Sequence, residues 1–221
     1  MPIVPDEIIR SKRKSIAIVI DSFGRLIVRA PFHCNEARIF TFLQEKEGWI
    51  LRKKEERRGV GICLPPENLQ GYSFLLLGKQ CKIVVADTEQ IGFDKKTWTI
   101  YLPKEKSQVY LVKWLKENAK RVLTALTAET AKRMGVTYAS VSVTSARGRW
   151  GSCTGKDDIH YSFRLLYAPQ EVIEYVVVHE LSHVRHKNHS KNFWNEVARY
   201  EPNWKNKRGW LKKHGVLLEI F

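Results

Sequence analysis

The sequence predicts an α+β protein. A β-rich N-terminal part, residues 1–104, precedes a unit spanning residues 105–221, built from a long helix, a small sheet, a buried motif-bearing helix and further C-terminal helices. Three observations predict it. Short β-branched runs punctuated by turn residues fill much of the first hundred positions. An uninterrupted amphipathic stretch runs from Ser107 to Met134. After Pro169, the segment QEVIEYVVVHELSHVRH contains neither glycine nor proline. With 221 residues, 43% of them hydrophobic and including 7 Trp, 8 Tyr and 9 Phe, the chain has ample material for a buried core.

The elements follow in order. Residues 15–30, SIAIVIDSFGRLIVRA, read as two strands around a Ser-Phe-Gly turn. Asn35 is placed to cap EARIFTFLQEKEGWILRKKEERR, in which Ile39, Phe42, Leu43 and Ile50 recur near helical spacing and Gly48 is the expected point of division. Strands are expected at Tyr72 to Leu77, Gln80 to Ala86 and Thr97 to Leu102. Ser107 is the expected cap of the long helix, which buries Leu111, Trp114, Leu115, Val122 and Leu126 and stops at Gly135. Tyr138 to Ser145 and Ile159 to Leu166 read as strands flanking an irregular ARGRWGSCTGKDD. Pro169 suits the first turn of the next helix, and two shorter helices, Ser190 to Tyr200 and Asn203 to His214, are separated by Pro202.

Composition excludes several classes. The opening MPIVPDEIIRSKRKS lacks the apolar stretch of a secretory signal, and the longest apolar runs are too short to span a bilayer, so the expected location is the cytoplasm, with no membrane partner. Cys34, Cys63, Cys81 and Cys153 form no C-x-x-C pair, which argues for four reduced thiols. The net charge of +15 suits a polyanionic partner or substrate. From Val184 onward nine basic residues face three acidic ones, a surplus that would welcome phosphate and leaves nucleic acid a possible partner through the C-terminal region.

The chemistry concentrates in VVVHELSHVRHKNH, residues 176–189. On a helix His179 and His183 project from one face and converge on one ion, while Glu180 follows at about 100° beside it. In this H-E-x-x-H arrangement two neutral imidazoles bind zinc and the carboxylate polarises a water at the metal. Val176, Val177 and Val178 mark the helix as buried, where unpaired imidazoles would be costly and a metal would satisfy them. A third ligand is needed. His189, six residues past His183, is the first choice, with Asn188 able to turn the chain back toward the metal; Glu196 is the second and His186 the last.

These residues resemble a family. Arg149-Trp150-Gly151-Ser152-Cys153, Phe163-Arg164-Leu165, Pro169, Tyr175 through His183, Asn188-His189-Ser190 and Phe193-Trp194 look like the YgjP-like metallopeptidases, bacterial zincins similar to SprT proteins. The close match covers about residues 145–215. A weaker one, through Arg29-Ala30-Pro31, Trp49-Ile50 and Leu77-Gly78-Lys79, reaches into the N-terminal part. The resemblance implies a minimal zincin-like catalytic unit with zinc on His179, His183 and His189 and Glu180 as general base. His186 is not part of the shared motif. A nucleotide pyrophosphatase role has also been proposed within the family.

The leading expectation is therefore a zinc-dependent hydrolase of the metallopeptidase type acting on peptide or protein. The alternatives are a nucleoside triphosphate pyrophosphatase using the same metal site, and a basic DNA-associated protein with a structural zinc, its Trp194, Trp204 and Trp210 serving as stacking groups. Arg149 is either an oxyanion or phosphate holder or a structural arginine braced on Trp150. The Ile159 to Leu166 strand is the expected edge along which an extended peptide would pair.

Overall fold

The structure, a computed structural model, describes residues 3–21, 24–58 and 65–221. It is α+β, as expected, with ten strands and six α-helices among the described residues. The chain divides into two compact units, Met1–Leu64 and Pro65–Phe221.

In the first unit, β1 (Glu7–Ser11), β2 (Ala17–Ile20) and β3 (Leu26–Pro31) form a sheet of order β1-β3-β2. The hairpin of β2 and β3 is antiparallel, as expected; of its turn, Ser22 and Phe23 lie outside the described residues. Strand β1 had no sequence signal strong enough to be noticed. It pairs parallel with β3 and is tied there by the Asp6 carboxylate, which accepts from the Leu26 N–H at 2.6 Å. Alternate residues of β3, Leu26, Val28 and Ala30, face the core, as a strand with a period of two requires. Against them pack Ile39, Leu43 and Ile50 of helices α1 (Glu36–Glu45) and α2 (Glu47–Arg58). Asn35 caps α1, its side chain accepting from the Arg38 N–H at 2.9 Å. The division falls at Lys46, and Gly48 continues inside α2.

The second unit holds a four-stranded sheet, order β4-β5-β7-β6, from β4 (Ser73–Leu76), β5 (Lys79–Ala86), β6 (Gly92–Asp94) and β7 (Thr99–Pro103). The expected boundary after residue 104 would cut this sheet from the helices that follow, whereas the compact units part at 64/65. The reason lies in contacts that composition does not reveal. The Leu77 N–H donates to the Leu166 carbonyl at 2.7 Å, and Phe74 meets Tyr167 edge-on with ring centroids 5.6 Å apart. Gly78, at φ +78°, lies so close to Pro169 that a Cβ would meet its Cα at 3.0 Å. The turn between β4 and β5 is thus seated on the start of the motif helix.

Helix α3 (Ser107–Met134) buries Leu111, Leu115, Ala119, Leu123, Thr127 and Ala131, a stripe at four-residue spacing. The expected burial of Leu111 and Leu115 holds, whereas Trp114, Val122 and Leu126 are half-buried beside that stripe. Ser107 is its first residue and not its cap; the cap position is Lys106, left-handed at φ 54° with no side-chain bond, and Gly135 ends the helix at φ 63°. The helix packs on β8 (Ser140–Thr144), on α4 (Gln170–Arg185) and on the 3-10 turn Phe163–Tyr167. The rest of the second sheet is β9 (Gly151–Cys153), hidden in a segment that had looked irregular, and β10 (Asp158–Ser162).

Its order is β8-β10-β9, which corrects one expectation. The strand beginning at Ile159 is the middle of the sheet, parallel to β8 and antiparallel to β9, and both its edges are already paired. It also ends at Ser162, giving way to the 3-10 turn. Among the described residues β8 and β9 are the edges, and β9 packs on α4. Helices α5 (Lys191–Tyr200) and α6 (Trp204–Lys213) also pack on α4 and close the unit, the first capped by Ser190. No helix among the described residues is long and apolar enough to cross a membrane.

Arg164 is 2% exposed and donates to the carbonyls of Ile220 at 2.7 Å, of Ser145 at 3.0 Å and of Phe221. Burial depresses its pKa, which makes those three acceptors its compensation for lost water. Arg164→Met should therefore lower unfolding stability by roughly 2–3 kcal/mol, read from a urea transition, because three carbonyls, that of Ile220 buried, lose their donor.

Candidate metal centre and catalytic carboxylate

Helix α4 carries the motif where it is best enclosed. Val176, Val177, Val178 and Leu181 are buried, so the helix is fixed from several sides, and His179 and His183, one turn apart, leave it on the same side. The chain leaves α4 at His186, whose backbone is extended at φ −131°, ψ 97°. It then turns through Asn188, which accepts from the Ser190 N–H at 3.2 Å, and Ser190 starts α5. This turn returns His189 to the other two imidazoles.

His179, His183 and His189 form a triangle with ring centroids 5.1, 5.1 and 4.8 Å apart. One nitrogen from each lies within 4.8 Å of the others, and the Nε2 atoms of His179 and His189 are 3.1 Å apart. Ligands about 2.0–2.1 Å from a tetrahedral ion are separated by about 3.3 Å, so the cluster is of the right size. His183 turns its Nδ1 to the His186 carbonyl at 2.9 Å, leaving Nε2 for the cluster. A ligating histidine is commonly oriented by such a bond. His186 thus supplies a carbonyl where its ring had ranked last as a ligand.

The electrostatics keep His179 and His183 neutral. Burial lowers His179 to about 3, with His183, His189 and Arg208 pushing the same way; burial also lowers His183, against the bond from His186. A neutral imidazole is the form that binds a metal. The Nδ1 of His179 is buried with no protein partner. Glu196, second choice as ligand, is not among the three: it is ion-paired with Arg185, whose guanidinium also donates to the carbonyls of Met134 at 2.8 Å and Gly135 at 3.0 Å.

Glu180 is 5% exposed, and burial raises it to about 8, opposed by the charge of Arg149. One wall of its pocket is the backbone of β9. A Cβ on Gly151 would stand 2.7 Å from the Glu180 Oε1 and 2.9 Å from its Cγ, so only glycine fits. Reasoning from the sequence gave Gly151 no role; the available signal was a lone glycine in a short strand, which often marks close approach of another group. Arg149 is exposed at the mouth of a cavity that Gly151, Ser152 and His160 also line. It acts on Glu180 through space.

Aromatic rings finish the enclosure. Phe193, fully buried, sits 4.4 Å from the His183 ring, 4.8 Å from His189 and 4.9 Å from His179, centroid to centroid. Trp194 stacks on His189 at 5.6 Å and on Trp204 at 4.2 Å, and Arg208 lies over Trp194 at 5.1 Å. Sequence reasoning had not tied either aromatic to the histidines.

A family model described as YgjP-like, metallopeptidase domain matches residues 14–214, so the chain belongs to that family and is a hydrolase of the metal-dependent peptidase type. Among solved structures, the metallopeptidase zymogen of Pyrococcus abyssi abylysin is 21% identical, with a TM-score of 0.38 over 41% of this chain and 93% of its own. That of Methanocaldococcus jannaschii jannalysin is 15% identical, with a TM-score of 0.38 over 42% and 95%. No curated protein matches the chain.

Gly151→Ala should cost about 100-fold in hydrolytic turnover, because moving a reacting carboxylate by about 1 Å has that effect, while metal content and the far-UV circular dichroism stay at wild-type level.

Proposed function

We propose that this YgjP-like metallopeptidase is a zinc-dependent peptidase in which His179, His183 and His189 hold the metal and Glu180 is the general base. The observation that carries the reading is the convergence of three imidazoles beside a buried carboxylate that is pressed against an edge strand. A structural metal site has no use for such a carboxylate. Nitrogen donors alone, three in number, suit zinc and leave a fourth position for water or substrate.

Zinc there would supply Lewis-acid polarisation of the scissile carbonyl and of the attacking water. The chain's own groups do the rest. Burial disfavours the charge of Glu180, a bound dication would favour it, and as the carboxylate Glu180 takes the proton of the attacking water. It returns that proton to the leaving nitrogen. The β9 edge gives an extended peptide backbone hydrogen bonds that set its direction past Glu180. Phe193 and the Trp194–Trp204 stack keep water from the ligand side. Arg149 stands where it would meet charge developing on the substrate oxygen. A cytoplasmic setting belongs to this reading, since Cys34, Cys81 and Cys153 are free thiols.

The cations of α6 favour a second reading, cleavage of a nucleoside triphosphate at the same metal. As nucleic-acid stacking groups the tryptophans are less suited: Trp194 has Trp204 against one face and His189 and Arg208 close by, and Trp210 stacks on His214 at 4.0 Å.

The zinc-loaded protein should hydrolyse unfolded protein or peptides, and Glu180→Gln should keep its zinc, by elemental analysis, while losing about 10²–10⁴-fold in kcat. His189→Ala should bind zinc roughly 100-fold or more weakly, by competition with a chromogenic chelator. Pyrophosphate release from nucleoside triphosphates, lost in Glu180→Gln, with no peptide cleaved, would transfer the assignment to the second reading.

A further inference from the structure

Beside the metal site lies a cavity of ≈ 750 Å³ lined by Trp150, Trp204, Lys205, Arg208, Leu211 and Lys212, together with Gly209. Its walls begin at the catalytic groups on two sides. Trp150 is the neighbour in sequence of Gly151, whose backbone touches the Glu180 carboxylate. Trp204 stacks on Trp194, which in turn stacks on His189, and Arg208 lies over the same Trp194. Three of the lining residues are cationic and none is acidic. We propose that this cavity is a specificity subsite that takes a carboxylate of the peptide substrate, either an acidic side chain or the C-terminal carboxylate, close to the bond that is cut.

The proposal rests on the peptidase reading and deepens it. A peptide paired along β9 rises about 3.3 Å per residue, so a side chain seated between Trp150 and α6 belongs to a residue within about three of the scissile bond. Trp150, Trp204 and Leu211 offer apolar walls for the methylenes of glutamate, and Lys205, Arg208 and Lys212 ring them with donors for the carboxylate. A planar base would need a free ring face, and Trp204 already spends one on Trp194 with Lys205 over its ring at 5.8 Å. Carboxylate fits the walls better than a nucleobase does. The positive potential also steers acidic substrates toward the metal.

The test uses the full chain loaded with zinc and a mixture of peptides, cleavage sites being read by mass spectrometry. One arm carries Asp or Glu at each position within three of the cut, with both termini blocked; a second replaces each by Gln or Lys; a third has a neutral sequence with a free C-terminal carboxylate. Acidic residues at one of these positions should raise kcat/KM about tenfold or more over lysine, and Lys205→Glu/Lys212→Glu should abolish or invert that ratio. Preference confined to the third arm, with the same sensitivity to Lys205→Glu/Lys212→Glu, would assign the subsite to the terminal carboxylate. Cleavage with equal kcat/KM whatever the charge, or a preference untouched by the double variant, overturns the subsite and leaves the peptidase reading standing. Cleavage of no peptide overturns the peptidase reading itself, and the subsite with it. Should the double variant not fold, Lys205→Gln and Lys212→Gln taken singly carry the same comparison, each with a smaller loss of preference.

Discussion

Three imidazoles, from half-buried to exposed, lie close together beside a buried carboxylate, and that juxtaposition governs the second unit. Burying an ionisable group disfavours its charged form, so the protein holds His179 and His183 neutral and raises Glu180 well above an ordinary carboxylate. The arrangement carries a cost. The Nδ1 of His179 lacks a protein partner, and two Nε2 atoms face each other at 3.1 Å, where at most one can donate. A cation held by His179, His183 and His189, as proposed, would turn these separate costs into bonds by taking imidazole lone pairs and favouring the ionised carboxylate. Function and local instability have the same origin here.

Holding such a cluster requires rigid support, and the helices supply it at their ends. Arg185, in the last turn of α4, reaches the carbonyls of Met134 and Gly135 at the end of α3 and the carboxylate of Glu196 on α5. One guanidinium therefore fixes three helices where the chain departs toward His189. It satisfies end-of-helix carbonyls that would otherwise need water. Lys187, two residues on, binds Asp157 and the Thr154 carbonyl in the β9–β10 turn. The connection between the helix and the sheet edge is thus pinned on both sides of His186, and the third imidazole inherits that order.

Local pattern carried most of what could be read from the sequence. The H-E-x-x-H spacing is a statement about one helix, so His179, Glu180 and His183 were legible as a group. The offset of His189 was legible because a short turn permits few returns. What sequence concealed depends on groups far apart in the chain. Glu196 and His189 were both chemically acceptable ligands, and the choice turned on Arg185 reaching the former. Gly151 precedes Glu180 by 29 positions, so nothing local couples them. Strand β9 has three residues and a glycine among them, too little for an alternation to show, and missing it made β10 look like an edge. The boundary at 64/65 went unseen for a similar reason: Leu77, Gly78 and Phe74 meet Leu166, Pro169 and Tyr167 across about ninety residues.

The Gly151 contact also links recognition to chemistry in a way that a distant substrate cleft would not. Because the β9 backbone touches the Glu180 carboxylate, a peptide paired with the outer edge of that strand would lie within one strand spacing, about 4.8 Å, of the backbone beside the proposed base. Such a contact would favour substrates whose main chain is extended over those that cannot pair, before any side chain is read. Charge selection at the Trp150 end of the strand would act second, on a main chain already aligned. A short edge strand, a glycine over the carboxylate and a helix whose ends are tied by Arg185 are therefore parts of one device, and the three imidazoles set where it has to point.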